Sequence, residues 1–231
     1  MRLTARTAAL LLIGFLVACS SQASKPPTAA AVLQEAGHAM AGLHSVSADI
    51  KFGPGVTLQG LTLTSATSKI QLPTESDTVF KVKQGDFLLD LRVVTTGGHV
   101  YLRLPFSGFT EATPEQAKEV PNLSGLFDPN TGLPAILPQG QDQRYLGTEQ
   151  VSGVPCDKVS STYTAAQIGQ LLGVQPAGDV KATIWAGQSD HYVRRVTLAG
   201  PLLEAGKEVQ VDIYLHDFNQ PVAIPTPSPS S

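Results

Sequence analysis

Charge is scarce in this chain. Only 15% of its 231 residues are Asp, Glu, Lys or Arg, against roughly 25% in an average soluble protein. Sixteen basic residues face nineteen acidic ones, a net charge of −3. That balance excludes a polybasic nucleic-acid binder and attachment to anionic lipid through surface charge. Cysteine is nearly missing: Cys19 and Cys156 permit at most one disulfide and no four-cysteine zinc site. Aromatic residues make up 6% of the chain, so an apolar site would be aliphatic. Catalytic signatures are absent as well. Ser107, Ser124 and Ser152 each precede a glycine, but none has a glycine two residues before it, so there is no Gly-x-Ser-x-Gly elbow. His38, His44, His99, His191 and His216 show no His-x-His or HExxH spacing, and no metal site is expected from them. Asp86 and Asp90 share the water-facing side of an alternating strand. No phosphate loop is present either. The chain reads as a protein without catalytic activity and without a cofactor.

What is present begins with a targeting segment. Arg2 and Arg6 precede an uncharged apolar run, Ala8 to Ala18. As a helix that run reaches only about 16 Å, half of the roughly 30 Å hydrocarbon core, so a signal peptide fits and a membrane span does not. Leu16-Val17-Ala18-Cys19 resembles the bacterial lipobox. The resemblance implies that residues 1–18 are removed and that the Cys19 thiol carries a diacylglyceryl anchor, on the extracytoplasmic face of the cell membrane. Without Arg2 and Arg6, 14 basic residues stand against 19 acidic, and the net charge becomes −5. Residues 20–28, polar and bearing Pro26 and Pro27, read as a flexible tether. Cys156 is then unpartnered and reads as a small buried hydrophobe.

The rest is one α+β domain, residues 29–220, with no break in composition. Thr28 caps a helix to about Leu43, whose Val32, Leu33, Ala36, Ala39, Met40 and Leu43 form one stripe. The period then changes to two. Phe87, Leu89, Leu91 and Val93 alternate with Asp86, Asp90 and Arg92; Gly97-Gly98 makes a turn; Val100, Leu102 and Leu104 alternate again. Similar runs are Gln59–Thr64, Thr78–Lys83, Val180–Ala186, Tyr192–Leu198 and Val209–Leu215. Short helices are predicted over Pro114–Val120, Leu123–Phe127, Leu133–Leu137 and Thr162–Leu172. Eight to ten antiparallel strands with few helices imply a large curved sheet. Residues 221–231, rich in Pro and Ser, are expected to be disordered.

Such a sheet has more apolar face than these helices cover, and an unfilled space would form an apolar cavity between sheet and helices. Candidate lining residues are Leu33, Met40, Leu61, Leu63, Phe80, Val82, Phe87, Leu89, Leu91, Val93, Val100, Leu102, Leu133, Ile136, Leu137, Ile184, Val211 and Ile213. A closed aliphatic core is the alternative.

Several segments in order, from about Ala29 to Val222, resemble the LppX/LprAFG family of mycobacterial lipoproteins. They are Gly42-Leu43-His44-Ser45-Val46, Gly98-His99-Val100-Tyr101, Asp128-Pro129-Asn130-Thr131-Gly132-Leu133 with Ile136-Leu137, Gly147, Val151-Ser152-Gly153-Val154, Ala182-Thr183-Ile184-Trp185 and His191-Tyr192-Val193-Arg194. The chain departs from the family at Phe218-Asn219, where a Trp is usual, and in a longer Thr110–Val120 segment. The resemblance implies a half-barrel over a few helices, similar to the carriers LolA and LolB. It also implies binding of acylated lipids or glycolipids and their transport within the cell envelope, in some members beside an inner-membrane exporter. An interaction module with a filled core, partnering such an exporter, is the other expectation.

Overall fold

The structure is a computed structural model that describes residues 25–58, 61–120, 123–172, 176–202 and 207–228. The signal segment and Cys19 lie outside the described residues. Helix α1 spans Ala29–Ala41, and the Thr28 hydroxyl accepts from the Ala31 amide at 3.2 Å, satisfying one free donor of the first turn. Its Val32, Leu33, Ala36 and Met40 are buried, as the three-and-four spacing predicts.

Seven strands follow: β1 Ser45–Phe52, β2 Thr57–Leu58, β3 Leu61–Gln71, β4 Glu75–Gln84, β5 Phe87–Thr96, β6 His99–Arg103 and β7 Phe109–Glu111. Short helices α2 Pro114–Glu119 and α3 Leu133–Ile136 come next, then β8 Gln141–Val151, β9 Val154–Tyr163 and helix α4 Ala165–Leu172. The last strands are β10 Val180–Gly187, β11 Val193–Gly200 and β12 Val209–His216. Helices α2 and α4 start with the same device. Thr113 pairs with Gln116, and Thr164 with Gln167, each threonine hydroxyl accepting from the glutamine amide N–H while the glutamine side chain accepts from the threonine N–H. The β5–β6 turn is held by Gly97 and Gly98 at φ 59° and 82°, the geometry that a two-residue hairpin requires.

Among the described residues the strands form one antiparallel sheet in the order β7-β6-β5-β4-β3-β1-β12-β11-β10-β9-β8, with β2 on β3. The first and last long strands therefore meet in the middle, Ile50 opposite Ile213. The two edges stay apart. Edge β7 has three residues, and edge β8 is polar and twice irregular in register, which blunts it against pairing with another chain. Further irregularities at Leu63/Ser65 and Trp185/Ala186 bend the sheet. Helix α1 packs on α3 and over β8, β9 and β10.

Strands β1, β8 and β9 carry little apolar alternation in the sequence, because Ser and Ala stand at several positions of β1, Ser and Thr at several of β9, and polar residues fill most of β8. The C-terminal tail also departs from expectation. It has no regular secondary structure, yet Ile224 is buried with Val94 and Tyr101 on the outer side of the sheet, and Val222 packs beside them. Tyr101, on the face of β6 opposite Val100 and Leu102, is buried there for the same reason.

Candidate functional site

The concave face is built in rows across the strands. Leu91, Phe80, Ala66, Ile50, Ile213, Val196, Ile184 and Val159 lie side by side, each directly opposite the next. A neighbouring row runs Leu102, Val93, Thr78, Ser68, Ala48, Leu215. A shorter one, Leu89, Val82 and Leu63, lies toward the β4–β5 turn. Alternation puts these side chains on one face because successive residues of a strand point oppositely.

The candidate lining residues divide by burial. Leu33, Met40, Leu63, Phe80, Val82, Leu91, Val93, Ile136, Leu137 and Ile184 are buried in the main apolar cluster. Leu61, Leu89, Val100, Leu102, Leu133, Val211 and Ile213 pack against that cluster but are only half-buried. Phe87 does not belong with them. It is 73% exposed, because it is the first residue of β5, at the tip of the β4–β5 hairpin.

Small side chains on this face escape a search for apolar alternation. Ala48, Ala66, Ser68 and Thr78 are buried on it, and the Ser68 and Thr78 hydroxyls satisfy each other at 2.8 Å. The sequence signal they leave is slight: Ala66 and Ser68 at alternate positions of β3, with single small residues at Ala48 in β1 and Thr78 in β4. Thr78, Ser68 and Ala48 fill the row between Val93 and Leu215, and Ala66 stands between Phe80 and Ile50 in the next row.

The helical roof is fixed by a turn. In the stretch that carries the family resemblance most strongly, the Asp128 carboxylate accepts from the Asn130 amide at 2.8 Å and the Thr131 amide at 2.9 Å. It also accepts from the Thr131 hydroxyl at 3.0 Å. These bonds, the Asn130 amide first, hold its pKa below the usual carboxylate range. A β-carbon on Gly132 would lie 2.7 Å from the Asp128 amide nitrogen, so only glycine fits. This motif is a structural clamp at the start of α3, whose Ile136 and the following Leu137 are buried in the main apolar cluster with Leu133 packed against it. Opposite α3, Gly37 of α1 lets the helices touch, since a β-carbon there would stand 2.7 Å from the Pro134 carbonyl oxygen.

The outer face is polar and ringed. Arg195 lies over both Trp185 and Tyr214, its guanidinium 4.5 and 5.1 Å from their centroids, and Lys158 lies over Trp185 at 4.9 Å. Arg92 and Asp77 pair there, as do Arg195 and Asp212. Two open grooves of about 440 and 410 Å³ on this side share Asp49, His216 and Asp217. None of the candidate lining residues contributes to them. Cys156 is fully buried beside Val151 and Trp185, and burial raises its thiol pKa. The histidines sit apart from one another: His99 pairs with Glu111, His191 with Glu35, and His216 with Asp49 and Asp217. Among the described residues no cluster of His, Cys, Asp and Glu could hold a metal ion, and no helix is long and apolar enough to cross a membrane.

The same architecture is found in solved structures. LprF from Mycobacterium bovis superposes with a TM-score of 0.70 at 22% identity, covering 87% of this chain and 97% of that one. Lipoprotein LppX from Mycobacterium tuberculosis gives 0.63 at 20% identity, over 85% and 98%. Likeness at these identities speaks for the fold. In sequence, the lipoarabinomannan carrier protein LprG of Mycolicibacterium hassiacum is 28% identical over 243 aligned positions, covering 98% of each chain. The family model LppX_LprAFG lipoprotein matches residues 28–224, nearly all of the described core. With an open antiparallel sheet, helices on its concave face and this match, the chain belongs to the LppX/LprAFG family of lipoproteins.

Proposed function

We propose that this chain is a non-catalytic carrier that holds the acyl chains of a lipid or glycolipid between its sheet and helices and moves it within the cell envelope. The observation that carries the proposal is the incomplete burial of Ile213. It lies on β12, beside the middle strand, and faces inward between Ile50 and Val196, which are buried. A side chain so placed is sealed in a filled core. Here it is half-buried, as are Val211, Leu102 and Leu89 on the same concave side. Aliphatic surface left open inside a fold favours acyl chains, at roughly 0.8 kcal/mol for each CH₂ removed from water. No charged clamp is needed for such a ligand. The 28% identity to a protein named as a lipoarabinomannan carrier, over 98% of both chains, supports the reading.

In this reading Cys19 carries the diacylglyceryl anchor and holds the domain at the extracytoplasmic face of the cell membrane, where an exporter could receive the cargo. Protein purified without detergent, extracted with organic solvent and weighed by mass spectrometry tests the carrier. Near-stoichiometric acylated lipid is expected. Protein that arrives lipid-free and takes up no fluorescent fatty acid in solution would sink the proposal.

A further inference from the structure

Five large hydrophobic side chains are strongly exposed among the described residues, and four of them stand at one end of the sheet. Phe87 and Leu88, 73% and 58% exposed, follow the β4–β5 turn at Gly85 and Asp86; Leu104 and Phe106, 52% and 98% exposed, lie in the β6–β7 loop. The two loops are neighbours by topology. Strand β6 leaves its partner at Arg103 opposite Arg92, and the chain continues in the direction of Leu88 and Phe87. The fifth, Leu146, is on the opposite edge of the sheet, in β8.

The Phe106 loop is built to hold its ring outward. The Leu104 carbonyl accepts from the Ser107 amide at 3.2 Å and from the Ser107 hydroxyl at 3.0 Å, closing a tight turn. Phe106 itself has φ 64°, a left-handed conformation that a bulky residue rarely adopts. Backbone strain of this kind persists only where the surroundings impose it. The exposed rim is also continuous with the concave face. Along one side of β5, exposure falls from 73% at Phe87, through half-buried Leu89, to 7% at Leu91.

We propose that the β4–β5 tip and the β6–β7 loop dock this end of the protein on a lipid bilayer, with Phe87, Leu88, Leu104 and Phe106 entering the interface and Leu89 leading cargo from it to the concavity. This rests on the carrier reading for its last step only. Two narrow protrusions suit a bilayer, which closes around separate side chains, better than a protein partner, which needs a continuous face of roughly 800 Å². Lys83 and Asp86 give the tip charges of both signs, so insertion rather than attraction to anionic lipid drives the contact.

Flotation with pure phosphatidylcholine vesicles tests the docking. The chain starting at Ser20 serves, because the core begins at Ala29. The parent chain is expected to float, and Phe106→Asp to reduce the bound fraction about tenfold. Leu146→Asp, an equal charge change elsewhere, is expected to float as the parent does. In Phe106→Trp, vesicles should shift the indole emission to the blue, over a constant background from buried Trp185. Undiminished flotation of Phe106→Asp, equal loss in Leu146→Asp, or a parent that does not float would overturn the proposal. Extracted lipid, measured on the same preparations, separates the two readings: Phe106→Asp is expected to keep its lipid while losing the vesicle, and a lipid-free parent that still floats would remove the carrier and leave the docking.

Discussion

The Tyr163 hydroxyl, at the end of β9, donates a 2.9 Å hydrogen bond to the Leu137 carbonyl oxygen, and both residues are buried. This one bond ties the sheet to the turn after α3, and so to the roof over the concave face. Burial pushes the Tyr163 pKa up to about 12. The unfolded chain loses this proton near pH 10, whereas the folded one keeps it, so the unfolded state binds fewer protons between those values. Stability should hold below about pH 10 and fall as pH rises toward 12. Tyr163→Phe is expected to unfold earlier in urea by about 1–2 kcal/mol at neutral pH and to lose the tyrosine share of the alkaline slope.

Contact between α1 and α3 depends on the missing side chain of Gly37. In an exposed helix, Gly→Ala adds about 1 kcal/mol of stability. Here the new methyl would meet the Pro134 carbonyl oxygen at 2.7 Å, so Gly37→Ala is expected to lower the urea midpoint. A raised midpoint would show that α3 gives way without cost.

The β10–β11 turn carries an ion pair with two contacts, Arg194 to Asp190 at 2.8 and 2.6 Å. The hydrogen bond from Arg194 is the largest cause holding the Asp190 pKa below its ordinary value. Its contribution is therefore present above about pH 4 and is lost as pH falls through the lowered value. Asp190→Asn should cost about 1 kcal/mol at pH 7 and flatten the acid limb of the stability curve. An acid limb unchanged by the substitution would assign that slope to other carboxylates.

Leu89 is half-buried on the track from the rim to the core. Leu89→Asp is expected to cut bound acyl lipid several-fold while the protein still melts cooperatively, since a charge in an apolar path costs more when lipid replaces water. Leu89→Met, near the same volume, should retain lipid. Phe80→Ala, by contrast, deletes a buried ring and is expected to cost about 3–5 kcal/mol of stability.

The anchor is tested by fractionation. Cys19→Ala should move the protein from the membrane pellet to the soluble fraction, because a single exposed rim holds a bilayer reversibly where a covalent diacyl group holds it stably. Retention in the pellet would assign the anchor to another segment.

Local chemistry was enough to read much of this protein from its sequence. The period of 3.6 located α1, the period of two located β5 and β12, and Gly97-Gly98 marked the hairpin, because each signal lies within a few residues. Seventeen of the eighteen candidate lining residues fall in or against the main apolar cluster for the same reason. What no window could reveal is which elements meet. The pairing of Ile50 with Ile213, the burial of Tyr101 under the tail, and the burial of Ala48, Ala66, Ser68 and Thr78 depend on contacts far apart in the chain. Phe87 makes the difference plain. Its place in the alternation says inward, and that is its face; but burial also needs neighbours around it, and Phe87 stands first in β5, at the hairpin tip. Sequence period set the direction of each side chain, and only the tertiary structure decided which of them water can reach.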